Sequence, residues 1–386
     1  MPATKPTFLA IILVVFAPHS YADTFPEILS DYFEPLSAAQ LDMSDPTLVA
    51  QIELGKTLYF DTRLSADWDL SCATCHDIFN GGDDGLALSV GHQGQLAERN
   101  APTVLNAVFN RAQFWDGRAA TLADQAKDMI QSPAEMASTP KQTLATLNAI
   151  PWYRDQFQAA FPDQSEPLTF DNLALAIEAF ETTLITPSPF DQFLTGEPSI
   201  LDPDALFGAF TFLDTGCIVC HNGINIGGGF FERFGAANAL DPNVFSSSDQ
   251  GRFRVTQNEK DKSVFKVASL RNVTLTGPYF HNGRVDALDE AINIMAQSQL
   301  GSTLSQADTQ SIIAFLTSLE GQPLDIEVPN MPELDPILGP FSAPKDWVMP
   351  SPVSLPEHKE DDAETISKDD IQSEPKLTAP FEPVIQ

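Results

Sequence analysis

Four cysteines, and only four, occur in 386 residues. They stand as Cys72-Ala73-Thr74-Cys75-His76 and Cys217-Ile218-Val219-Cys220-His221. A C-x-x-C-H run is the attachment signature of c-type haem. Two thioethers on one short turn pin the two vinyl positions of a porphyrin. The imidazole of the next residue then reaches the iron from the same side. Other readings of paired cysteines fit poorly. A zinc ribbon wants its two pairs about 15–20 residues apart, whereas these lie a whole domain apart. A disulfide across two residues is strained and rarely occurs twice. A thioredoxin-like motif expects a βαβ context, which the sequence lacks. Two covalently bound c-type haems are therefore expected, with His76 and His221 as their proximal ligands.

Thioether haem implies export, and the first residues agree. Lys5 gives a basic start, residues 8–17 form an apolar run, and Ser20-Tyr21-Ala22 offers a small-x-small cleavage site. The apolar run is too short to span a bilayer, which takes about 20 residues. Residues 1–22 read as a signal peptide and the periplasm as the destination, with an uncleaved anchor as the alternative.

The formal charge is −32. Residues 323–386 contribute −10 and the leader +1, so about −23 remains on the rest. Nucleic acid is excluded as a partner, because phosphate binding needs Lys and Arg. A basic or dipolar redox protein suits such a surface, since opposite fields speed encounter. Plain solubility accounts for the charge equally well.

Residues 172–185 read as a helix, with Leu173, Ile177, Phe180 and Leu184 at three- and four-residue spacing. Thr186-Pro187-Ser188-Pro189 then breaks the pattern and marks a boundary. A second amphipathic helix opens at Ser305, carries Ile312, Ile313, Phe315, Leu316 and Leu319, and stops at Gly321. Beyond it, 12 of the 30 prolines fall in the last 64 residues, which points to a disordered acidic tail. Each half also follows its cysteine motif with glycines, Gly81-Gly82 and Gly227-Gly228-Gly229, as duplication of one module would give. The expected fold is mainly α: two cytochrome c-like haem domains in tandem with few short strands. The boundaries are 1–22 for the signal peptide, 23–188 and 189–322 for the haem domains, and 323–386 for the tail.

Each haem iron has a second face. Of six histidines, His19 lies in the leader and His358 in the tail, which leaves His92 and His281 beside the two proximal ones. Met43, Met129, Met136 and Met295 are the methionines outside the leader and tail. Methionine ligation raises a haem potential, but spacing alone does not select among these residues. Glu135 reads locally as a first-turn helix acid after Pro133, and Gln125 as a solvated helix residue.

From residue 54 to residue 321 the chain closely resembles the bacterial di-haem cytochrome c peroxidases. The matching stretches are Leu54-Gly55-Lys56, Phe60-Asp61, Arg63-Leu64-Ser65, Ser89-Val90-Gly91-His92, Arg99-Asn100-Ala101-Pro102-Thr103 and Phe114-Trp115-Asp116-Gly117-Arg118. The second half adds Leu270-Arg271-Asn272-Val273, Gly277-Pro278-Tyr279-Phe280-His281, Ile294-Met295 and Gln299-Leu300-Gly301. Ala268 and Gly277 depart from the Pro and Ala expected there, and the tail is longer than usual.

The resemblance implies roles. His76 would hold a first, peroxidatic haem, and His92 would be its removable distal ligand. Gln125 and Glu135 match the distal pair beside the peroxide, the amide orienting it and the carboxyl moving its proton. His221 and Met295 would ligate a second, electron-transfer haem, with His281 beside it as a propionate donor. Trp115 matches the tryptophan between the haems. Asn100 with the carbonyls of Thr276 and Pro278 matches an inter-domain Ca²⁺ site. The implied reaction is reduction of H₂O₂ to water with electrons from a small cytochrome c or a cupredoxin, in a protein that often forms a homodimer. Two rivals remain. One is a related di-haem enzyme that oxidises a protein substrate, which would carry tyrosine in place of Met295. The other is a di-haem electron carrier or redox sensor without turnover.

Overall fold

The computed structural model describes residues 25–37, 43–242, 244–245 and 248–333. The leader, and the tail beyond residue 333, lie outside the described residues. The described chain is mainly helical, with one two-stranded antiparallel sheet of β1 (Phe231–Arg233) and β2 (Val264–Lys266). Among the described residues no helix is long and apolar enough to cross a membrane.

After α1 (Phe25–Ser30), the first half builds its core from α2 (Pro46–Phe60), the short α3 (Cys72–Cys75), α4 (Leu122–Gln131), α5 (Pro140–Asn148), α6 (Pro151–Ala160) and α7 (Phe170–Glu181). Asp45 caps α2 by accepting the Thr47 N–H, and Pro46 sits in its first turn, where a missing N–H costs nothing. Leu54, Leu58, Leu173 and Ile177 bury the facing sides of α2 and α7. The two backbones touch at Gly55, where a Cβ would stand 1.8 Å from the Ala176 carbonyl oxygen. Helix α7 stops earlier than its apolar spacing suggests. Thr182 caps it, and Thr183 and Leu184 close tight turns onto Phe180 and Glu181.

The second half repeats this plan with α8 (Pro189–Leu194), α9 (Pro203–Thr215), α10 (Phe253–Thr256), α11 (Leu288–Leu300) and α12 (Gln306–Thr317). Phe212 of α9 packs on Phe315 of α12, ring centroids 5.3 Å apart. A Cβ on Gly208 would stand 1.8 Å from the Ser311 carbonyl oxygen. A glycine thus seats the main helix crossing in each half. Ser305 caps α12 in a capping box with Asp308, where the sequence placed the start.

A second echo joins the halves. Asn106 and Asn272 are both buried, both left-handed at φ 60° and 61°, and both open a short 3₁₀ turn. Their side-chain amides donate to the same Thr186 hydroxyl at 2.9 and 3.0 Å. The chain ends cross over as well. Leu29 and Phe33 bury among Phe190, Phe315 and Leu316, whereas Leu324 and Ile326 pack on the first core. Asp191 fixes the first of these straps. It accepts the Leu36 N–H at 2.8 Å and pairs with buried Arg271 at 2.9 Å.

Candidate functional site

The first cysteine turn, α3, is held by a capping box. The Ser71 N–H donates to the Thr74 hydroxyl at 3.0 Å, and the His76 N–H closes onto the Cys72 carbonyl at 2.9 Å. The Tyr59 hydroxyl donates to the His76 carbonyl at 2.6 Å, which anchors the turn to α2. The second turn follows α9 through Gly216, whose φ of 95° ends the helix and starts Cys217. The four sulfurs form no disulfide. Burial raises every thiol, Cys75 to about 12 and Cys217 to about 11, so all four are protonated at neutral pH.

Both motif imidazoles, His76 and His221, suit iron. Burial lowers His76 below its ordinary value and His221 to about 4, so each ring is neutral. His221 Nδ1 faces the Ile226 carbonyl at 3.3 Å. A proton on Nδ1 satisfies that contact and leaves Nε2 with its lone pair for a metal. His76 Nδ1 is buried near the carbonyls of Gly82 and Pro102 without a well-formed hydrogen bond.

Each turn opens into its own cavity. The first, of about 330 Å³, is lined by Cys72, Cys75 and His76 together with Gln125, Met129 and Glu135. Gln125 projects from α4. Glu135 sits on the turn after α4, not in the first turn of a helix, because residues 132–137 double back onto Ser132. Burial raises the Glu135 carboxyl, opposed by a hydrogen bond from Ser132 and the charge of Arg118. Its Oε2 is buried and unpartnered among the described residues. Arg118 lies over the Phe114 ring, 3.4 Å from its centroid.

His92 is not brought into this wall. Gly91 lines the cavity, but the His92 ring turns beside Asp67, with Nδ1 3.4 Å from that carboxylate.

The second cavity, of about 240 Å³, is mostly apolar. Cys217, Cys220 and His221 line it, and α11 contributes Met295 between Ile292 and Leu300. His281 is buried here, stacked on Phe265 at 4.1 Å, and burial lowers it to about 4. Thr276 and Pro278 also face this cavity. Asn100 lies at the seam. Its side-chain amide donates to the Leu86 carbonyl at 2.9 Å, which leaves the amide oxygen as an acceptor for a cation.

Trp115 lines both cavities, as do Asn100, Ala101 and Pro102. The indole N–H donates to the Asn100 carbonyl at 2.9 Å. Arg99 locks the same seam by pairing with Asp116 at 2.8 Å and with Asp249 of the second half at 2.7 Å. Sequence reasoning gave Arg99 no role, although it opens a quoted stretch, because its partners are distant in the chain. Glu181, also unpredicted, lines the first cavity, and burial raises its carboxyl to about 8.

A family model described as di-haem cytochrome c peroxidase matches residues 49–199. The chain is 48% identical over 327 residues to the cytochrome c551 peroxidase of Pseudomonas aeruginosa, covering 84% of this chain and 94% of that one. The chain belongs to the di-haem cytochrome c peroxidase family. A protein of the same name from Nitrosomonas europaea is 40% identical and covers 78% of this chain and 87% of its own. Among solved structures, a MauG-like protein associated with microbial copper homeostasis superposes with a TM-score of 0.66 at 26% identity, over 75% of this chain and 94% of that one. Membership in a di-haem cytochrome c peroxidase family agrees with what the two cysteine turns require, two c-type haems.

Proposed function

We propose that this protein is an exported peroxidase that reduces H₂O₂ to two waters with two electrons and two protons. The observation that carries the reading is the asymmetry of the cavities. One cavity wall holds a raised carboxyl and an amide together with its motif histidine; the other is mostly apolar and offers Met295. That asymmetry suits chemistry in the first and electron entry through the second. When bound, the two haems supply the redox-active irons that cleave the O–O bond and between them store the electrons.

The residues do the rest. The Gln125 amide orients peroxide by hydrogen bonds, since it does not titrate. The Glu135 carboxylate takes the proton from the near oxygen of peroxide and gives one to the far oxygen, which departs as water. Trp115, common to both walls, fills the path between them. His92 would serve as a removable ligand of the first iron. Its turn rides on the turn that bears Glu135, which supports a coupled movement. Asn100 Oδ1 with the carbonyls of Thr276 and Pro278 forms an oxygen-rich set suited to Ca²⁺ at the seam.

The leader directs the chain to the periplasm. Along the sequence the two haem domains are 23–188 and 189–322, with Leu29 and Phe33 strapped across onto the second core, and a homodimer is the assembly that the family resemblance suggests. The acidic surface favours a basic or dipolar donor, a small cytochrome c or a cupredoxin. Met295 speaks against the tyrosine-ligated enzymes that oxidise a protein substrate. Glu135→Gln tests the reading against a plain carrier or sensor. Turnover should fall about 100- to 10,000-fold with both haems retained and their redox behaviour intact. Unchanged turnover would remove Glu135 from the chemistry.

A further inference from the structure

Lys266 is the last residue of β2 and only 6% exposed. It lines the second cavity with Trp115, Phe265 and His281. Among the described residues its ammonium forms no ion pair or hydrogen bond. Glu232 on the neighbouring strand does not serve. It stands in register with Phe265, Lys266 stands opposite Phe231, and the Glu232 carboxylate accepts the Arg233 N–H at 2.7 Å. A buried cation is retained at large cost unless something anionic pairs with it. Burial alone lowers Lys266 to about 8.

We propose that Lys266 receives a carboxylate of the prosthetic group in the second cavity and so raises that site's hold on an electron. The inference rests on the di-haem reading above. A haem brings two propionates, anions that a mostly apolar cavity must accommodate. A cation beside them cancels negative charge near the iron and favours the reduced state, since Coulomb terms are strong where water is excluded. The backbone N–H of Lys266 donates to the Trp115 carbonyl at 2.7 Å, which ties the strand to the residue common to both cavities. Lys266 is thus a positioning and tuning residue; it touches no peroxide.

The test measures haem content and the midpoint potential of the Met-ligated haem in the holoprotein, for wild type, Lys266→Met and Lys266→Arg. The methionine variant should hold the electron at the second haem at least tenfold less well, a fall of about 59 mV or more for one electron. The arginine variant should stay near wild type. Loss of the second haem from the methionine variant alone would support the same assignment. Equal potentials in all three proteins with both haems attached would overturn it and leave the di-haem reading standing. Loss of the haem from both variants would also overturn it, since arginine keeps the charge. A wild-type protein that binds fewer than two haems would instead refute the underlying reading.

Discussion

The backbone N–H of His92 donates to the carbonyl oxygen of Glu135 at 2.8 Å. The bond joins two turns that are far apart in sequence, and it couples the proposed removable ligand to the proposed proton carrier. If the His92 turn moves, the Glu135 turn must move or lose a hydrogen bond.

Gly91 makes that contact sterically feasible. A Cβ there would lie 2.0 Å from the Ala134 carbonyl oxygen and 2.8 Å from the Glu135 Cα. Gly91→Ala should therefore push the turns apart and misplace the carboxyl. Turnover should drop at least tenfold, while the strain costs about 1–3 kcal/mol of stability. Steady-state assay beside thermal melting checks both parts.

Activity should have an acid limb set by Glu135. The group must be ionised to accept a proton, and burial raises its pKa. As pH falls through that raised value the carboxyl protonates and kcat/KM declines, so the limb lies above the ordinary glutamate range. The pH profile of Glu135→Asp should keep a limb, and that of Glu135→Gln should lack it.

Each half depends on one glycine at its helix crossing. Gly55→Ala and Gly208→Ala both drive a methyl into a carbonyl 1.8 Å away, with backbone on the far side. Each should destabilise by about 1–3 kcal/mol or more, read by urea denaturation of the holoprotein.

Much of this was legible in the sequence, and the reasons are local. The cysteine turns are short, and their chemistry is written in consecutive residues. Ser305 was readable as a cap because its box partner Asp308 lies three residues on. The early stop of α7 was not, because Leu184 keeps helical spacing while burying in a turn. Local pattern alone cannot tell the Glu135 turn from a helix start, because Pro133 looks like an N1 proline. The crossing of the chain ends was invisible too. Phe33 meets Phe190 and Phe315 only through tertiary packing, 5.3 and 6.0 Å between ring centroids.

The Arg271–Asp191 pair holds that crossing. Both side chains are almost fully buried, 1% and 3% exposed, and both oxygens of Asp191 receive guanidinium hydrogen bonds at 2.9 Å. Removing one partner strands the other charge. Arg271→Met should cost about 3–5 kcal/mol, and Arg271→Met with Asp191→Leu should recover part of it. Denaturation midpoints of the single and double variants measure the difference.

The most direct test of the whole account is H₂O₂ consumption by the haem-loaded, Ca²⁺-replete protein, before and after reduction of its high-potential haem alone. The account predicts fast turnover only after pre-reduction, the result expected if His92 is a removable ligand. No turnover in either state would contradict the peroxidase reading outright.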